Sequence, residues 1–272
     1  MKFFRNIFLI LFILGFFVAI FSIPSEEEDS IEFSDDDSGY SDKNCPEIQL
    51  SNANNRISSR SWINYDYTNF CLQYVTEKKK VEEAESYRNR YQDLVSQTDL
   101  QFWGTLYHKL YQLNRTEINS IADSLIHLKN EQNLDRNEFA NMVVSFVQDI
   151  PYVYILDKER CEDQDLSQGN CVTNKRFGIL SPIEFLHSLN GDCDTRTVLL
   201  YSLFKALHYS PRIAISFEYA HSVLLLDVQS SGDYITEYGV KYFFWETTAT
   251  GWQAGILPPS CNDINKWTIV LK

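Results

Sequence analysis

The chain has 272 residues, 44% hydrophobic and 14% aromatic, with 10 Gly and 7 Pro. That composition excludes a collagen-like, low-complexity or wholly disordered protein and suits one large domain or two small ones. Lys and Arg total 24 against 37 Asp and Glu, a net charge of −13. With no basic run beyond Lys78-Lys79-Lys80, this balance argues against a nucleic-acid partner.

Ile7 to Phe21 is an unbroken apolar run, with Lys2 and Arg5 before it and acids after it. That order keeps the amino end in the cytoplasm and sends the rest outside. The run is short for a span, which wants about 20 residues. No small-x-small cleavage site follows it, since Ala19-Ile20-Phe21 would put Phe at the cut. Residues 1–23 therefore read as an uncleaved membrane anchor, the alternative being a cleaved signal peptide and a secreted protein. Between Ser25 and Asp42 stand nine acids and no Lys or Arg. Residues 24–44 thus read as an acidic, disordered linker.

The six cysteines, Cys45, Cys71, Cys161, Cys171, Cys193 and Cys261, form no C-x-x-C pair, which argues against structural zinc. In an oxidising compartment Cys161 and Cys171 can close a short polar loop, and Cys45 with Cys71 is a second candidate bridge. The acidic stretch Glu162-Asp163-Gln164-Asp165 is not a calcium loop: Gln168 stands where Gly is required and no Glu closes it. No metal and no cofactor is expected.

Val81, Ala84, Tyr87, Tyr91, Leu94 and Val95 make a helical stripe within Glu77–Val95. Leu100 to Leu113 is apolar and aromatic. Asn114 caps a helix through Ile118, Ile121, Leu125 and Leu128. Asp135 opens another, through Phe139, Met142, Val143 and Phe146, ending before Pro151. Residues 45–135 read as a helical region and residues 136–272 as the core that carries the site. Val198 to Leu207 is a strongly apolar helix stopped by Pro211. Ile213 to Tyr219, His221 to Val228, Lys241 to Thr248 and Trp267 to Leu271 follow as strands, with a turn at Ser230–Asp233. Helices first and an antiparallel sheet after predict an α+β fold. No G-x-G-x-x-G or P-loop offers a nucleotide site.

In Gly191-Asp192-Cys193-Asp194, Cys193 opens the apolar helix, where the macrodipole lowers a thiol pKa. Pairing His221 with Glu246 in a hairpin centres its turn between Asp233 and Tyr234, beside the turn read independently at Ser230–Asp233. Directly opposed residues share a face, so the sheet sets an imidazole beside a carboxylate. Cys193 packed against that pair makes a nucleophile, base and acid set. The bland readings are a buried cysteine and a solvated cross-strand pair. His187 is the rival base and takes a surface role, while His108 and His127 fall in the helical half as structural residues.

Five blocks then stand in order: Phe146 to Tyr152, Pro182-Ile183-Glu184-Phe185-Leu186, Gly191 to Asp194, His221, and Trp245-Glu246-Thr247-Thr248 followed by Gly251-Trp252. Together they resemble the transglutaminase-like cysteine peptidase superfamily, in its prokaryotic branch, over about residues 140 to 260. The resemblance implies a papain-like α+β core with Cys193 as nucleophile, His221 as general base and acid, and Glu246 as the group that orients the imidazole. It also implies an oxyanion site made by the Cys193 N–H, with Gln148 as the second donor. The chain departs from the family pattern at Thr195-Arg196, where an acid often stands, and at His208, where the helix usually ends on Gly.

The expected activity is an exported cysteine acyl transfer onto a protein or peptide substrate, through a thioester resolved by water or by an amine. Water needs no second binding site, so hydrolysis of an amide or peptide bond leads. The alternative is a non-catalytic cell-envelope module that keeps the fold for protein binding.

Overall fold

The computed structural model describes residues 49–51, 54–91, 98–163 and 170–272. The expected anchor, the acidic linker, Cys45, Leu94, Val95 and Gln164 to Gln168 lie outside the described residues. Among those described, no helix is long and apolar enough to cross a membrane.

Residues 49–77 are not helical as expected. They form a three-stranded antiparallel sheet of β1 (Gln49–Ser51), β2 (Asn55–Ile63) and β3 (Asn69–Glu77). In β3, Phe70, Leu72, Tyr74 and Thr76 are buried and the residues between them are exposed, the period of two that a half-buried strand needs. In β2 the buried groups include Ser58, Ser59 and Arg60, so hydrophobicity alone hides the strand. Arg60 reaches the Asp149 carboxylate at 2.6 Å and the Phe146 carbonyl at 3.2 Å, tying the sheet to the helix before Pro151.

Helix α1 (Lys78–Asn89) follows at once. Its buried positions are Ala84 and Arg88, while Tyr87 from the expected apolar stripe is 41% exposed. The helix turns this face inward because Arg88 forks onto the buried Glu184 carboxylate, at 3.2 and 2.8 Å. Glu184 in turn closes the capping box of a short helix, α5 (Pro182–Ser188), whose N-cap is Ser181 and whose first residue is Pro182. Between them run α2 (Asp99–Leu113), α3 (Arg115–Glu131) and α4 (Arg136–Gln148). Asp135 caps α4 with a Glu138 capping box. Asn114 makes no side-chain cap to its own helix, and its Oδ1 accepts the Ile183 N–H instead.

Helix α6 (Cys193–Ala206) is buried on nearly every side, as an all-round apolar helix must be. It packs against α3, α5, α2, α4 and the central strand of the second sheet. His208, just past its end, takes φ +61°, the left-handed C-terminal position that Gly fills at no steric cost.

The second sheet has five antiparallel strands in the order β10 (Thr268–Leu271), β6 (Arg212–Ser216), β7 (His221–Leu226), β9 (Val240–Trp245) and β8 (Tyr234–Glu237). One face, with Leu224, Leu226 and Trp245, joins the core around α6. The other, with Val223, Leu225 and Phe244, meets Leu257, Cys261 and Trp267. Burial on both faces explains why β7 reads as a continuous apolar run. The expected direct hairpin between β7 and β9 is corrected: β8 intervenes in the chain, and β9 lies between β7 and β8. The register sets Leu224 against Trp245, two residues from the expected pairing. A shift of two leaves every side chain on its expected face.

The architecture is mixed α+β with an antiparallel sheet. A parallel pair, β4 (Val153–Ile155) and β5 (Asn170–Val172), lies beside the site. Cys161 and Cys171 are disulfide-bonded, with Cα atoms 5.9 Å apart. Cys71 is also disulfide-bonded, and its expected partner Cys45 is outside the described residues. Cys193 and Cys261 are free and buried.

Candidate active site

Asp192 is the N-cap of α6, its carboxylate accepting the Thr195 N–H at 3.1 Å. Cys193 is therefore the first helical residue and is 8% exposed. The turn before it is held close by Gly191, where a Cβ would lie 2.8 Å from the Phe185 ring. Gly191 also bridges to Tyr152, and its carbonyl accepts the Val153 N–H at 3.3 Å.

His221 begins β7 and Glu246 follows the end of β9. His221 Nε2 lies 2.9 Å from Glu246 Oε2. The Cys193 side chain interacts with the same imidazole. The Glu246 side chain has no exposed surface. Its second oxygen accepts the N–H of Thr247 at 2.8 Å, the N–H of Thr248 at 2.9 Å and the Thr248 hydroxyl at 2.7 Å. This explains Glu246-Thr247-Thr248 as a unit: the two threonines neutralise a buried charge that would otherwise be costly. Trp267 packs edge-on against His221 at 5.8 Å and shields it from water.

Burial would raise the Glu246 carboxyl, but the His221 charge and the hydrogen bonds outweigh it and hold the group at about 2. Burial would likewise lower His221, but the Glu246 charge and the bonds to Cys193 and Glu246 carry it well above its ordinary value. The thiol goes against expectation. Burial and the Asp194 charge push Cys193 up, and the pull of His221 does not reverse them. Asp192 and Asp194, the acids on either side of the thiol, oppose the helix macrodipole there. Asp194 is itself fixed by the Tyr107 hydroxyl of α2 at 2.6 Å.

Gln148 is not placed as an oxyanion donor. Its Nε2 donates both hydrogens to main-chain carbonyls, of Glu246 at 2.7 Å and Trp252 at 3.0 Å. Gln148 thus anchors the chain that carries the acid. His187 is not brought to the thiol: its Nδ1 meets the Thr76 hydroxyl at 2.8 Å. His108 and His127 are exposed on α2 and α3.

Two neighbours of the thiol carried no expected role in the sequence reading. Arg196 is fully buried, and no carboxylate among the described residues is bonded to it. Its guanidinium donates to the carbonyls of Gly191 at 3.0 Å, Val147 at 3.0 Å, Thr247 at 3.2 Å and Ile150. One cation thus joins the nucleophile turn, the end of α4 and the segment after Glu246. Tyr152 puts its hydroxyl oxygen 3.4 Å from the Cys193 nitrogen, as acceptor of that N–H. Tyr152 closes the first of the five blocks and Arg196 stands at a departure from the family pattern, but neither position revealed these contacts.

No protein-family model matches the chain, and no curated protein or solved structure matches it.

Proposed function

We propose that this protein is an exported, transglutaminase-like cysteine enzyme of papain-like core that transfers an acyl group from an amide or peptide bond to water. The observation that carries the reading is the chain of contacts from the Cys193 thiol to the His221 ring and on to the buried Glu246 carboxylate. Neutral His221 takes the Cys193 proton, and the sulfur attacks the substrate carbonyl carbon. As the C–N bond breaks, His221 returns that proton to the departing amine. Water, deprotonated by the same ring, then attacks the thioester, and the sulfur leaves. Glu246 holds the ring and balances its positive charge throughout. The Cys161–Cys171 disulfide supports an oxidising compartment, and with it export; tethering by the amino-terminal apolar segment rests on the sequence alone.

The runner-up is a cell-envelope binding module that keeps the fold without turnover. The upward push on the thiol is the observation in its favour. One experiment separates the two. The full-length protein is incubated with a peptide mixture, quenched in acid and examined by mass spectrometry. An acyl adduct on Cys193 with new peptide carboxyl ends, both absent in Cys193→Ser, is the expected result. Intact peptides and an unmodified Cys193 would leave the binding module standing.

A further inference from the structure

The geometry points to Tyr152 as the second oxyanion donor, completing with the Cys193 N–H the cradle for the substrate carbonyl oxygen. The inference rests on the acyl-transfer reading and supplies the donor that Gln148 cannot be. Tyr152 Oη lies 3.4 Å from the Cys193 nitrogen and accepts its hydrogen. Among the described residues, the phenolic hydrogen is given to no acceptor. A donor O–H and a donor N–H thus converge at the start of α6, and an oxygen entering between them meets both.

The placement of the phenol is fixed on three sides. Its backbone bridges to Gly191. Its ring lies over the Arg196 guanidinium at 5.4 Å and edge-on to Tyr154 at 5.1 Å. The residue as a whole is partly buried. When the sulfur attacks, the C–S bond forms and the carbonyl π pair moves onto oxygen. Tyr152 hydrogen-bonds that oxygen without giving up its proton, and burial keeps its pKa far above the ordinary phenol value. The pair returns to carbon as the leaving group departs. The resting bond to the Cys193 N–H is exchanged for bonds to the substrate, so the contact exists only where charge develops.

The test compares two reactions of the same thiol in the full-length protein. Acylation by p-nitrophenyl acetate creates an oxyanion, whereas alkylation by iodoacetamide, a displacement at saturated carbon, creates none. Tyr152→Phe should slow nitrophenolate release from Cys193 by about 10²-fold and change alkylation by no more than about threefold. Site-specific 3-fluorotyrosine at position 152, which keeps ring and donor, should restore acylation to within about threefold of the unaltered chain. Equal acylation in Tyr152→Phe, parallel loss of both reactions, or a fluorotyrosine chain as slow as Tyr152→Phe would each overturn the assignment. An unaltered chain that releases no nitrophenolate from Cys193 is a different failure: it removes the acyl-transfer reading itself, and this inference with it.

Discussion

The two sides of the site are built on opposite electrostatic plans. On the sheet side, every neighbour of Glu246 is a donor, and the carboxylate in turn holds His221 in its charged form. On the helix side, Cys193 stands between two acids, and burial and Asp194 work against a thiolate. The nucleophile therefore does not activate itself through its helix. Its ionisation depends on the ring that faces it, whose charged form Glu246 favours. Acylation should therefore rise with pH as His221 deprotonates.

The largest test of this division is Glu246→Gln. It should lower the turnover number by about 10³–10⁴-fold, the loss seen when an orienting acid becomes an amide. It should also move the rising limb of the pH profile to lower pH, because the imidazolium loses its anion. A limb that stays in place would show that Glu246 does not set the His221 ionisation. Arg196→Met removes the clamp common to both sides and leaves four buried carbonyls without their donor. Chemical denaturation should report a loss of roughly 3–5 kcal/mol, and a stability unchanged within error would break the clamp argument.

Asp194→Asn acts on the helix side alone and keeps an acceptor for Tyr107. Removing that like charge should lower the thiol pKa and speed iodoacetamide labelling of Cys193 at pH 7 several-fold. Slower labelling would reverse the proposed sign. The smallest effect is on the pH dependence of melting. Glu246 contributes stability above the ordinary carboxylate value of 4.5, and that contribution is lost as pH falls towards about 2. His221 contributes fully below 6.5 and loses its contribution as pH rises through its raised value. The pair is thus worth most between pH 4.5 and 6.5. In Glu246→Gln the melting temperature should vary less with pH on both flanks, by a few degrees.

The parts of this site that sequence reveals are those encoded by residue type and period. Cys193 at a helix start and His221 and Glu246 on one face survive a two-residue error in register, because a strand repeats every two residues. The cap at Asp135 is legible for the same local reason, whereas Asn114, also read as a cap, makes no side-chain bond to its own helix. Arg196 is not, since a buried cation whose partners are backbone carbonyls leaves no complementary acid in the sequence to find. Gln148 is visible as a residue but not as a role, because its acceptors belong to the backbone of residues 98 and 104 positions away. The sheet at residues 49–77 escapes because Ser58, Ser59 and Arg60 occupy buried positions, where apolar residues carry the usual strand signal.

The Cys161–Cys171 bond has a practical consequence at the bench. Cys171 lies on β5 directly across from Tyr154 on β4, two residues from Tyr152. A cysteine enzyme is customarily handled in dithiothreitol to keep its nucleophile reduced. Here the same reagent attacks the cross-link next to the strand pair that carries Tyr154, which packs edge-on to Tyr152. Activity should accordingly be assayed in two buffers, one free of reductant and one with it, before a weak rate is blamed on the wrong substrate.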